Sequence, residues 1–117
     1  MSFDSDNAVS YQVVASDITA SASGGFLTIG GAGHIGDYLK SLTVRPKTTA
    51  PGAITIMDGR GVGAVTITVY TGGTVSAALQ PFTIELGIKA VVDGSTGDGW
   101  HVATGVNVEV LAVGRFL

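Results

Sequence analysis

The stretch YLKSLTVRPKTTAPGAITIMDGRGVGAVTITVY, residues 38–70, decides the fold. Leu42, Val44, Ile54, Ile56, Val65, Ile67 and Val69 recur at a spacing of two, with Ser41, Thr43, Thr55, Thr66 and Thr68 on the opposite parity. Alternation of this kind turns one set of side chains to a buried sheet face and the other towards water. Pro51-Gly52 and Asp58-Gly59-Arg60-Gly61 interrupt it with turn chemistry, because Pro presets φ and Gly accepts φ above zero. The stretch predicts three strands joined by two tight connections, a meander that the later strands extend.

Outward from this centre the same period continues. Tyr11, Val13 and Ala15 mark a first strand and Phe26–Ile29 a short second one, followed by the cluster Gly30-Gly31-Ala32-Gly33. Phe82, Ile84, Leu86, Ile88, Ala90 and Val92 alternate with Thr83, Glu85, Gly87 and Lys89, and Gly87 inside that run predicts a bulge or bend. Trp100–Thr104 and Val106–Val113 form a last pair around Gly105. A helical turn is arguable only over Thr74–Gln80, ahead of Pro81. About eight strands spaced roughly 8–12 residues apart predict an all-β, single-domain β-sandwich, with a jelly roll as the first choice. A polar arm over residues 1–10 precedes the sandwich domain, residues 11–117.

Composition narrows the functional classes. Charged residues make up 13% of the 117-residue chain, where an average soluble domain has about 25%. Apolar residues reach 45%, glycines number 18 and mean hydropathy is +0.46. A small domain has much surface per unit volume, so these charges are too few to cover a monomer. Part of the surface is therefore expected to lie against copies of the chain or a partner; the plainer alternative is a monomer coated in Thr, Ser and Gly.

A net charge of −3 and a pI near 5.0, with the basic residues scattered, exclude nucleic acid as the expected partner. Without cysteine there are no disulfides and no thiolate metal sites. No apolar run of about 20 residues is present, and Met-Ser-Phe-Asp-Ser-Asp lacks the basic and apolar regions of a signal peptide. The expectation is a protein without a membrane partner, held or assembled in a cytoplasm.

The chain offers several chemical motifs and each has a plainer reading. Gly31-Ala32-Gly33-His34-Ile35-Gly36 matches G-x-G-x-x-G after an apolar strand. A dinucleotide site would also need a long helix and an acidic residue ending the next strand, and period-2 alternation replaces both. The motif reads as a glycine turn. His34 and His101 lack metal spacing, and His101, on the parity opposite Val102, is expected to face solvent. Asp58, Asp93 and Asp98 sit in glycine-rich tips without the spacing of a calcium loop. Nothing selects a catalytic pair from Asp37, Asp58, Glu85 and Glu109, and Glu85 with Lys89 reads as a surface charge pair. No catalytic constellation, cofactor site or metal site is assigned, and the chain is not expected to be an enzyme.

The C-terminus stands out. Asn107 and Glu109 hold the polar parity, yet Leu111 and Val113 then occupy it, beside Val110 and Ala112, before Gly114-Arg115-Phe116-Leu117. A strand apolar on both faces is covered on both. Either it is tucked into the sandwich, or Leu111, Val113, Phe116 and Leu117 form a subunit contact.

Four segments carry a family resemblance: residues Tyr38–Pro46, Thr48–Gly59, Pro81–Ile88 and Gly99–Val108. In these the chain resembles small bacteriophage virion proteins, over roughly its last two-thirds. The match is a profile of strands and turns, so no functional residue carries over, and the first third has no counterpart. The resemblance implies a compact β-sandwich acting as a capsid decoration (cement) protein, homotrimeric, seated on the major capsid protein at the virion surface after assembly in the host cytoplasm. The polar arm, with Phe3, Asp4, Asp6 and Asn7, is the expected capsid contact, since a polar segment gains order when it meets a partner. The alternative is a receptor- or carbohydrate-binding module of a phage tail or head fibre, which aromatic platforms would reveal; one Trp and three Tyr argue against it.

Overall fold

β-Branched residues at alternating positions build eight strands: β1 (Ser10–Ser16), β2 (Leu27–Thr28), β3 (Tyr38–Pro46), β4 (Ile54–Arg60), β5 (Val65–Tyr70), β6 (Phe82–Lys89), β7 (Gly97–Thr104) and β8 (Val108–Arg115). They are seen in a computed structural model that describes residues 10–16 (as backbone), 25–30, 32–47, 51–73 and 80–117. The helical turn considered over Thr74–Gln80 lies almost wholly outside the described residues. Among the described residues there is no helix.

Two four-stranded antiparallel sheets form, in the orders β1-β8-β3-β6 and β2-β7-β4-β5. The pairs β1/β8, β2/β7, β3/β6 and β4/β5 are the rungs of one long antiparallel ribbon, with the β4–β5 turn at its tip. Rolling that ribbon up brings β8 against β3 and β7 against β4. This is the jelly-roll arrangement, and the β-sandwich expected from the alternation is present.

The meander is corrected. β4 and β5 form a hairpin, but β3 and β4 lie in different sheets, as do β7 and β8. Leu42 and Val44 thus meet Ile54 and Ile56 across the sandwich, not side by side within a sheet. Alternation states which face is buried and is silent about the neighbour in the ladder. Here the crossing buries both apolar faces against each other, which one continuous sheet could not do.

The core joins Ile29, Leu39, Leu42, Val44, Ile54, Ile56, Trp100, Val102, Val108 and Val110, all buried. Leu39 and Leu42 are three positions apart, so a regular strand would place them on opposite faces. Against β8 the register shifts between Leu39 and Ser41 with Lys40 as the extra residue, whereas against β6 the extra residue lies on β6, between Glu85 and Ile88; across this irregularity both leucines point inward. The irregularity expected at Gly87, whose φ is +66°, lies beside it on β6.

β8 is an inner strand of its sheet, between β1 and β3; Val108, Val110 and Ala112 face the core, and of the opposite face Val113 is buried and Leu111 half-buried. At the end of the sandwich where β7 gives way to β8, the backbones of Gly52 and Gly105 touch. A Cβ added to Gly52 would sit 2.6 Å from the Gly105 Cα. The Gly52 amide donates to the Val106 carbonyl at 2.8 Å and the Gly105 amide to the Ala53 carbonyl at 2.7 Å.

Candidate interaction surface

The other end of the sandwich gathers the connections β2–β3, β4–β5 and β6–β7 together with the C-terminus. These loops owe their shape to two buried carboxylates. Asp37, 1% exposed, follows Gly36, whose φ is +98°. Its Oδ2 accepts the His34 amide at 3.1 Å and its Oδ1 accepts the Leu117 amide at 2.8 Å. Its main-chain carbonyl accepts both the Ala90 amide at 2.9 Å and the indole Nε1 of Trp100 at 3.1 Å. One residue thus joins the β2–β3 loop, the β6–β7 loop, the core tryptophan and the chain end.

Asp58 shares the inward parity of Ile54 and Ile56 and is buried with them. Its carboxylate accepts the amides of Val91 at 3.0 Å and Val92 at 3.3 Å. A buried carboxylate is tolerable only when hydrogen bonds replace its hydration, and consecutive backbone amides do so here. Asp98 holds the Gly94 amide at 3.2 Å, and Ser95 Oγ accepts the Val62 amide at 2.7 Å. Two of the three aspartates in these glycine-rich tips, Asp58 and Asp98, therefore serve as loop clamps. Among the described residues no group of His, Cys, Asp and Glu is arranged to hold a metal ion.

The glycine motif has a packing role. The Gly33 φ is +76°, and a Cβ there would collide with the Asp98 carbonyl; a Cβ on Gly99 would lie 2.7 Å from the His34 amide nitrogen. These glycines let the β2–β3 loop lie directly on the start of β7.

On this clamped scaffold stand four exposed apolar side chains: Ile35, Val62, Val91 and Leu117. A rigid loop end that presents aliphatic groups to water suits burial against another surface. The nearby carboxylates Asp37, Asp58 and Asp98 each accept at least one backbone amide.

The expected subunit contact divides. Val113, 8% exposed, is paired in register with Tyr11 and Ser41, and Leu111, half-buried, with Val13 and Thr43. Phe116 packs against the core and over Gly30, where an added Cβ would lie 2.7 Å from the Phe116 Cβ. Leu117 alone of the four is largely exposed, beside Gly36. Phe3, Asp4, Asp6 and Asn7 lie outside the described residues, and β1 begins at Ser10, inside the assigned arm.

His101 corrects another expectation: it is 2% exposed and does not face solvent. It points to the outer face of its sheet, as the parity required, but β7 is an inner strand, with Thr28 and Met57 as register partners on either side. Nδ1 shares a 3.1 Å hydrogen bond with Thr28 Oγ1, and Nε2 is buried without a partner. Burial, reinforced by the Arg60 charge, lowers the imidazole pKa below 6.5. The ion pair seen at the surface joins Arg45 to Glu109 at 2.9 Å, across β3 and β8.

Sequence reasoning missed both clamps. Asp58 announced itself by occupying an inward parity position, a signal that the turn reading of Asp58-Gly59 obscured. Asp37 has no comparable signature: apart from the His34 amide three positions earlier, its partners are remote in sequence, Trp100 and Leu117 lying 63 and 80 residues away. Comparison with protein-family models, with curated proteins and with solved structures finds no match to this chain.

Proposed function

We propose that this chain is a structural virion protein, a decoration or cement protein that stabilises a bacteriophage head by binding at capsomer junctions. The observation that carries the reading is the clamped loop end, where Asp37 and Asp58 fix the backbone under exposed Ile35, Val62, Val91 and Leu117. A cement protein must adhere and resist strain without performing chemistry, and rigid sheets with aliphatic contact groups meet that need. The strand-and-turn resemblance over residues Tyr38–Pro46 and Thr48–Gly59 supports the same role. Fold alone would not, since jelly rolls serve lectins and enzymes equally well.

A sugar-binding module gains little support: Trp100 is buried, and Tyr70 packs against Phe82 with the rings tilted by 59° and their centroids 5.2 Å apart. The test is co-sedimentation of the purified protein with heads assembled from the major capsid protein of the same virus. Saturable binding that raises the temperature at which the heads rupture is the expected result. Heads that neither retain the protein nor gain stability would overturn the reading.

A further inference from the structure

We propose that β5 is a homodimer seam: two copies pair their β5 strands antiparallel about a two-fold axis through Ile67, joining two four-stranded sheets into one of eight. β5 lies at the edge of its sheet, bonded on one side to β4 and on the other to no described strand. An edge strand presents unpaired backbone donors and acceptors, and proteins that stay apart blunt such edges with charge, proline, brevity or a bulge.

Elsewhere in the molecule those devices are visible. β2 is two residues long, β6 carries Glu85 and Lys89 with Gly87 at φ +66°, and the β1 ladder slips between Val13 and Ala15. Val65-Thr66-Ile67-Thr68-Val69-Tyr70 has no charge and no proline. Its one register shift, opposite Ile54 and Thr55, falls at the Val69 end and leaves Val65 to Thr68 regularly paired.

The occupant is named by the strand itself. Val65-Thr66-Ile67-Thr68-Val69 reads the same in both directions. In an antiparallel pair centred on Ile67, each Thr66 meets the Thr68 of the other copy and Ile67 meets itself, three regular rungs, with each Val65 brought to Val69, the extra residue of the register shift. Each of these pairings joins like with like, the self-complementarity that a two-fold interface demands. The threonine rung already exists in this fold, where Thr43 and Thr83 share a 3.2 Å hydroxyl hydrogen bond across β3 and β6.

The aliphatic rung explains an oddity of burial. Val65 and Ile67 are 48% and 40% exposed although they lie opposite Asp58 and Ile56, on the core side of their sheet. A second copy would cover them. This assigns self-association to a dimer, in place of the trimer that the family resemblance implies, and the low charge density is then partly surface hidden in the seam.

The register makes the test specific. Thr66→Lys combined with Thr68→Lys sets like charges opposite each other twice, whereas Thr66→Lys combined with Thr68→Glu sets opposite charges there. By light scattering coupled to size exclusion, the unmodified chain and the Lys/Glu variant are expected to have the mass of a dimer. The double-lysine variant is expected to dissociate at least about tenfold more readily. Both substituted side chains are exposed, and circular dichroism confirms that each variant is folded. Ile67→Cys, in a chain without cysteine, is expected to yield a disulfide-linked dimer on mild oxidation, while Val62→Cys in the adjacent turn does not. A monomeric or trimeric unmodified chain, or a dimer indifferent to the double lysine, overturns the proposal. The measurement uses the chain alone, so it succeeds or fails independently of capsid binding.

Discussion

The amide of Leu117 donates to Oδ1 of Asp37 at 2.8 Å, tying the last residue of the chain to a buried carboxylate 80 positions earlier. Removing that carboxylate leaves the His34 and Leu117 amides without their partner at a part-buried site. Asp37→Ala is expected to cost about 3 kcal/mol of folding stability, and Asp37→Asn, which keeps one acceptor, about half as much. Trp100 is the only tryptophan and is buried, so its fluorescence during urea unfolding reports the loss. Equal stability for Asp37→Ala and the unmodified chain would show that the clamp is ornamental.

His101 sets a pH dependence whose sign follows from its burial. The imidazole pKa is lowered in the fold, first by desolvation and then by Arg60, relative to 6.5 in the unfolded chain. Above 6.5 both states hold the neutral ring and the stability is complete. As pH falls below 6.5 the unfolded state takes up the proton first, and stability declines until the native pKa is passed. The slope contributed by this one group is at most about 1.4 kcal/mol per pH unit. Urea unfolding of the unmodified chain and of His101→Gln, from about pH 8 to about pH 5, isolates that contribution. The glutamine variant is expected to show a shallower decline; parallel curves would assign the acid sensitivity to other groups.

How much of this was legible in the chain depends on the range of the interaction. Leu42, Val44, Ile54 and Ile56 reveal their buried face because alternation is local, and the break at Pro51-Gly52 is written in adjacent residues. The second turn falls later than Asp58-Gly59 suggests, over residues 61–64, because Asp58, Gly59 and Arg60 continue β4. That β3 pairs with β8 and not with β4 is decided by which apolar faces can cover each other, a global condition that leaves no local mark. The same limit hid the His101 environment: parity placed its side chain on the outer face, but only the ladder order shows β2 and β4 flanking it. Glycines gave a mixed signal, since Gly33 looked like part of a nucleotide motif while serving, with Gly99, the close approach of two backbones.

That approach has a counterpart at the opposite end of the molecule, where space and backbone conformation can be separated. Gly105 needs no positive φ, but a Cβ there would lie 2.8 Å from the Gly52 Cα. Gly63, in the β4–β5 turn, has φ +94° and no atom closer than 3.8 Å to an added Cβ. Gly105→Ala is therefore expected to cost about 2 kcal/mol or more through displaced backbone. Gly63→Ala is expected to cost about 1 kcal/mol through the left-handed conformation alone. Thermal and urea unfolding of the two variants decide the order; a costlier Gly63→Ala would mean that the Gly52–Gly105 contact yields easily.

The contact surface can be tested without touching what holds the fold. Val62 and Val91 are largely exposed, and their side chains lie outside the core cluster. Their backbone amides are held by Ser95 and Asp58, and those bonds do not depend on the valine side chains. Val62→Lys and Val91→Lys should each change folding stability by less than about 0.5 kcal/mol. If the loop end meets the capsid through aliphatic contact, burying either ammonium group without a partner is unfavourable, and head binding should weaken by about tenfold or more. Asp58→Asn supplies the complementary arm: it leaves both valines in place but loosens the loop that carries Val91, so binding and stability should fall together. Head binding unchanged in both lysine variants would move the capsid contact away from this end of the sandwich.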